Sequence, residues 1–76
     1  MDEFQITINQ VEEFQMTNSV IDLQQIFKRA HSTVVQGGKV VLIRKNTDGS
    51  SYKVDEISSE DELKRYKNGV FQYLDL

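Results

Sequence analysis

The apolar positions of residues 19–36 repeat every three or four residues, which is the period of an amphipathic α-helix. The stripe consists of Val20, Leu23, Phe27, Ala30 and Val34, with Ile26 beside it. Asn18 or Ser19 suits the cap of the first turn, and Gly37 followed by Gly38 suits a left-handed turn at the end. The sequence therefore predicts one long helix, whose apolar side needs a sheet to cover.

The chain before this helix begins with a strand pattern. Phe4, Ile6 and Ile8 alternate with polar residues, as in a strand with one buried face. The motif EFQIT of residues 3–7 then returns as EFQMT at residues 13–17. Two interpretations stay open for residues 9–18: a hairpin that turns in residues 9–12, or an extended segment that packs Phe14 and Met16 against the start of the helix.

A β-hairpin is predicted after the helix, with strands at residues 39–46 and 51–57 and Gly49 in the turn. A two-residue loop sets Ile43 opposite Val54, whereas a three-residue loop with a bulge at Gly49 sets Leu42 there. The first strand is apolar on both faces, through Val40 and Leu42 on one and Val41 and Ile43 on the other. Such a strand is either central in a sheet or an edge strand covered by a partner.

The last part of the chain reads as a short helix and a strand. Ser59 to Glu62 forms a capping box, and Leu63 with Tyr66 makes a short apolar side. Asn68 and Gly69 then predict the end of this helix after about two turns. Residues 70–76 are predicted to form the final strand.

These elements give the order β-α-β-β-α-β in one small α+β domain that covers residues 1–76. The sheet is expected to be mostly antiparallel, and the connectivity is that of the ferredoxin-like sandwich. The crossover between residues 58 and 69 is short for a connection between parallel strands. The alternative is therefore a meander with one main helix packed across it.

Charge is unevenly distributed although the net charge is only −3. Residues 1–27 carry five acids and no base, residues 28–53 carry six bases against one acid, and residues 54–76 carry six acids against three bases. With no cysteine, no apolar run of membrane-spanning length and no basic leader at the first residues, we expect a soluble protein that is cytoplasmic or part of a virion.

Catalytic and ligand-binding motifs find little support, so we expect no enzyme, no cofactor, no metal site and no small-molecule substrate. The single histidine, His31, lies near a helix end, where it complements the helix dipole. Asn46, Asp48 and Gly49 fit part of a calcium loop, but Arg44 then occupies the position of the first carboxylate. The Gly37–Gly38 pair lacks the lysine and the spacing of a phosphate-binding loop.

Protein association is the function that the pattern favours. Apolar groups on both faces of the predicted last strand exceed what so small a core covers, and we expect an interface formed by Val70, Phe71, Tyr73 and Leu76. The segregated charge favours contact with a charged partner or another copy. We therefore expect a non-enzymatic interaction or structural module, such as an accessory component of a larger assembly, including a viral or phage one, or a small inhibitor.

Nucleic-acid binding is the alternative. The predicted contacts lie on the end of the long helix and on the hairpin, and they are Lys28, Arg29, Lys39, Arg44, Lys45 and Lys53. Tyr52 offers an aromatic ring for stacking, whereas Asp55 and Glu56 would repel phosphates.

Overall fold

The computed structural model describes residues 2–74, which form an α+β domain. Its elements are β1 (Glu3–Thr7), α1 (Ile8–Met16), α2 (Val20–Val35), β2 (Lys39–Lys45), β3 (Ser51–Ile57) and α3 (Glu60–Gln72). The three strands lie in the order β1-β2-β3, with β1 parallel to β2 and β3 antiparallel to it. The α+β class is confirmed, but the sheet is mixed rather than mostly antiparallel. The predicted β-α-β-β-α-β order, the ferredoxin-like sandwich and the meander are not confirmed.

The long helix is confirmed as α2. Leu23, Phe27, Ala30 and Val34 are buried in the core, as their spacing predicts. Gly37 follows the helix with φ +88°, and Gly38 donates a backbone hydrogen bond of 2.9 Å to the carbonyl of Thr33. This left-handed turn satisfies carbonyls at the helix end.

Residues 9–18 contain a helix, so both extended interpretations of this segment are wrong. Val11 is fully buried, and Ile8 and Phe14 pack against the core at helical spacing. The side-chain amide of Asn9 also pairs with the backbone of Lys45, donating to its carbonyl over 3.0 Å and accepting from its N–H over 2.9 Å. Asn9 thus continues the pairing of β2 after β1 has ended at Thr7.

The hairpin of β2 and β3 is confirmed, and its register combines the three-residue loop with a second irregularity. Gly49 has φ +91°, and Arg44 pairs with Tyr52, as a three-residue loop requires. A bulge then shifts the pairing, so Leu42 faces Asp55 and neither Leu42 nor Ile43 faces Val54. Because β2 pairs on both sides, its interpretation as a central strand is confirmed.

The capping box at the start of α3 is confirmed, since the Ser59 hydroxyl accepts a 3.2 Å hydrogen bond from the backbone N–H of Glu62. The helix does not end at Asn68 and Gly69, however, but continues to Gln72. The predicted strand over residues 70–76 is therefore wrong where the structure describes it. Val70 continues the buried stripe begun by Leu63, and this packing keeps the chain helical.

The helices cover one face of the sheet. Ile6, Val40, Leu42 and Ile57 point toward them and form a continuous core with the buried residues of α1, α2 and α3. By alternation along β2, Lys39, Val41, Ile43 and Lys45 point to the opposite, outer face. The molecule therefore has a helical side and an outer sheet face with no helix over it among residues 2–74.

Candidate interaction surface

The six basic residues predicted to contact nucleic acid do not form one patch. Lys28 and Arg29 lie on α2, where the Arg29 guanidinium stands 5.0 Å from the centre of the Phe4 ring. Lys39, Lys45 and Lys53 lie on the outer sheet face, by the alternation and pairing of β2 and β3. Arg44 points to the helical side. The structure thus distributes the six residues over separate surfaces.

Arg44 also has a structural partner. Its two terminal nitrogens each donate a 3.1 Å hydrogen bond to the carboxylate of Glu12, which ties α1 to β2. This hydrogen bonding lowers the pKa of Glu12 and raises the pKa of Arg44. Arg44 is predicted from the sequence to contact phosphate, but in the structure its charge is paired with Glu12 of the same chain.

Charged side chains cover Val41 on the outer sheet face. Glu56 accepts from Lys39 over 2.8 Å and from Lys53 over 2.9 Å, and these two contacts lower the pKa of Glu56 to about 2. Val41 lies beneath, opposite Glu56 in the register, and is only 6% exposed although no helix covers it. Long charged side chains cover apolar surface with their methylene stems in this way.

The predicted interface residues separate into buried and exposed members. Val70 is buried, and Phe71 is half-buried with its ring centre 5.8 Å from that of Phe27. Tyr73 is 79% exposed just beyond the last turn of α3. Leu76 lies outside the described residues. Of the four, Tyr73 is the described residue that is free to meet another molecule.

Tyr73 lines an open groove of about 330 Å³ between α1 and α3. This tyrosine groove is lined by Ile8, Val11 and Gln15 of α1 and by Tyr66, Gly69 and Tyr73 at α3. Glu12 and Arg65 lie on its opposite walls. An apolar channel with tyrosine and arginine at its borders has the composition of protein-binding surfaces.

The two walls of the groove are held in place by specific contacts. The side-chain amide of Gln15 donates a 3.0 Å hydrogen bond to the carbonyl of Val70. Tyr66 is half-buried, with its ring centre 5.7 Å from that of Phe27 on α2. Burial, and then the charge of Glu12, raise the pKa of Tyr66. The groove is thus a preformed feature of the fold.

All three tyrosines of the chain lie on this side of the molecule. Tyr52 pairs with Arg44 across the hairpin and is 49% exposed. The hydrogen bond to Glu12 is the largest cause of the raised pKa of Arg44, and burial opposes it. Tyr52 and Tyr66 both lie close enough to Arg44 to raise its pKa further by a smaller amount. In the sequence the three tyrosines fall in three different predicted elements, which are the second strand of the hairpin, the short helix and the last strand, so their shared location could not be predicted.

A second cavity, of about 420 Å³, contains an acid-base pair between α2 and α3. The Nε2 atom of His31 lies 2.9 Å from a carboxylate oxygen of Glu60, and both side chains are well exposed. The cavity lining contains no hydroxyl or thiol that this pair would activate. The contact links α2 to α3, a partner for His31 that its sequence position does not predict.

Residues 2–74 contain neither a metal-binding cluster nor a membrane-spanning helix. No cluster of three or more histidine, cysteine or acidic side chains is placed to hold a metal ion. None of the helices in this range combines the length and hydropathy required to cross a membrane.

The chain matches no protein-family model, no curated protein and no solved structure. Its function is therefore inferred from its own surfaces.

Proposed function

We propose that the protein is a non-enzymatic module that binds another protein through the tyrosine groove. The observation that carries this proposal is an apolar channel between two helices, lined by Tyr66 and Tyr73, that is filled by no side chain of residues 2–74. Such a surface would serve an accessory component of a larger assembly, including a viral one. It would equally serve a small inhibitor.

The exposure of Tyr73 supports this proposal energetically. The Tyr73 side chain is 79% exposed, so its burial contributes little to the stability of the folded monomer. Burial in a partner would remove apolar area from water at a low cost in conformational entropy, since tyrosine has only two side-chain torsions. Tyrosine and arginine dominate binding energy at protein interfaces for these reasons.

The remaining surfaces support the choice of this groove. The ion pairs of Glu56 cover Val41 on the outer sheet face, and the edge strand β3 carries a bulge beside Lys53, Asp55 and Glu56. Bulges and charges on an edge strand disfavour pairing with another chain. Binding by strand addition at β3 is therefore less favourable than binding in the groove.

Nucleic-acid binding stays the alternative proposal. Lys28, Arg29 and Lys45 carry no carboxylate partner among the described residues, but they lie on separate surfaces. A salt-dependent affinity for a mixed-sequence oligonucleotide, lost in Lys28→Glu with Lys45→Glu, would favour this alternative.

Site-specific photo-crosslinking tests the proposal. A photoreactive amino acid replaces Tyr73 in cells that produce the protein naturally, and a matched control replaces Val35, which is 58% exposed at the end of α2. We expect an adduct of one discrete mass from position 73 and none from position 35. Equal labelling from both positions, or no adduct from position 73, would contradict the proposal.

A further inference from the structure

Gly69 is an unusual residue on the α3 wall of the tyrosine groove. It lies inside α3 with no left-handed backbone angle, and a Cβ atom added there would meet no heavy atom within 4 Å. Gly38 differs, because a Cβ there would collide with the carbonyl oxygen of Asp2. Neither backbone conformation nor packing within residues 2–74 therefore requires glycine at position 69.

Glycine at this position has a cost. Inside a helix it lowers the folding equilibrium constant relative to alanine by about two- to fivefold. Its presence leaves a notch in the wall of the groove, directly beside Tyr66 and Val70. Small residues on a helix surface permit the close approach of another group.

A matching projection lies on the same wall. Tyr73 follows Gly69 by four residues, which is about one helical turn or about 6 Å along the axis, and both line the groove. A surface that carries a notch and a projecting ring one turn apart is complementary to itself. A twofold axis midway between them sets each ring over the notch of the other copy, as the reciprocal contacts of a twofold dimer require.

We propose that a second copy of this chain occupies the tyrosine groove. The two α3 helices run antiparallel, and the Tyr73 ring of each copy packs against the partner's Gly69. This inference rests on the proposed function, since it names the partner of the same groove.

Charge supports the same arrangement. α1 carries Glu12 and Glu13 and no base, and Glu13 has no ion-pair partner among the described residues, whereas Glu12 is bound by Arg44. α3 carries Lys64, Arg65 and Lys67 and no acid after Glu62. When α3 of one copy lies in the groove of the other, it approaches the acidic α1 of that copy. Opposite charges across an interface fix its register and speed the encounter.

The expected dimer is small. A standard interface covers about 800 Å² per partner, which compares with a total surface of 5331 Å² for the described chain. Two short helices provide an interface toward the lower end of the range. We therefore expect a monomer-dimer equilibrium that depends on concentration, rather than a permanent dimer.

Sedimentation equilibrium of the purified chain, from micromolar to millimolar concentration, tests this inference with two matched variants. Wild type should approach twice the 8.8 kDa monomer mass as concentration rises. Tyr73→Lys should raise the dissociation constant by about thirtyfold or more. Val35→Lys places the same new charge at the end of α2 and should change it less than about threefold.

The variant Gly69→Ala should make the fold more stable and the dimer weaker, so it distinguishes an effect on dimerisation from an effect on folding. In dilute solution, where wild type is a monomer, this variant should raise the folding equilibrium constant about two- to fivefold. It should also raise the dissociation constant about tenfold or more, because the added methyl group fills the notch. A variant that is more stable and dimerises as well as wild type would overturn the proposed contact.

The failure of this inference differs from the failure of the proposed function. A chain that stays monomeric at millimolar concentration overturns the dimer. If position 73 then gives a crosslink to a different protein, the groove still binds a partner and only the identity of the occupant is wrong. If position 73 also gives no adduct, both proposals fail.

Discussion

The outer sheet face and the tyrosine groove are two regions of residues 2–74 where apolar side chains lie without a helix or strand over them, and they differ in how those side chains are covered. On the sheet face, Val41 is almost completely covered by the ion pairs of Lys39 and Lys53 with Glu56. In the groove, Tyr73 stays 79% exposed above an empty notch at Gly69. A small chain thus protects one apolar surface with charge and leaves the other available.

We expect the outer sheet face to contribute to the stability of the fold and not to association. Val41→Ala removes buried methyl groups and should lower the free energy of unfolding by about 2 kcal/mol. Urea denaturation measures this loss, and sedimentation of the folded variant should give the wild-type dissociation constant. A weaker dimer from this variant would show that the sheet face takes part in association.

The packing of α3 against α1 should depend on the hydrogen bond between Gln15 and Val70. Gln15→Ala removes the hydrogen bond to the partly buried carbonyl of Val70 and should cost about 1 kcal/mol of unfolding free energy. Hydrogen exchange should become faster at the end of α3, because this end loses its tie to α1. Faster exchange confined to β3 would mean that the groove and the sheet face are not independent.

The ion pairs of Glu56 on the outer sheet face should make the stability of the fold depend on pH in the acid range. The pKa of Glu56 is about 2 in the folded chain against an ordinary value of 4.5, so its contribution to stability is full above pH 4.5 and is lost as the pH falls toward 2. Glu56→Gln should be slightly less stable than wild type at neutral pH.

This small difference should vanish near pH 2 and shrink in high salt, because the side chains are partly exposed. Thermal unfolding at several pH values measures it. A difference that persists unchanged at pH 2 would show that charge at Glu56 is not its cause.

The limit of local sequence information is clear from the two similar pentapeptides. EFQIT at residues 3–7 is the strand β1, whereas EFQMT at residues 13–17 lies largely in α1. What differs is the surrounding chain: Phe4 and Ile6 pair along β2, while Val11 and Phe14 pack at helical spacing on the core. Tertiary contacts of this kind override local propensity.

The candidate site was predictable only in part. Tyr73 was expected at an interface, but the expected strand concealed that Leu63, Tyr66, Val70 and Tyr73 follow one helical period through Gly69. Asn68 and Gly69 predict a helix end from the sequence, but a single glycine is tolerated inside a helix where its neighbours are buried. The groove lies between α1 and α3. It could not be predicted while residues 9–18 were expected to be extended and α3 was expected to end at Gly69.

The most direct test of the central claim is an intermolecular nuclear Overhauser measurement on a mixture of isotope-labelled and unlabelled chains, at a concentration where the mass is doubled. The proposed dimer predicts a transfer between the ring protons of Tyr73 in one copy and the α-protons of Gly69 in the other. Intermolecular transfers that involve Val41 and Ile43 of the sheet face, with none between Tyr73 and Gly69, would contradict it.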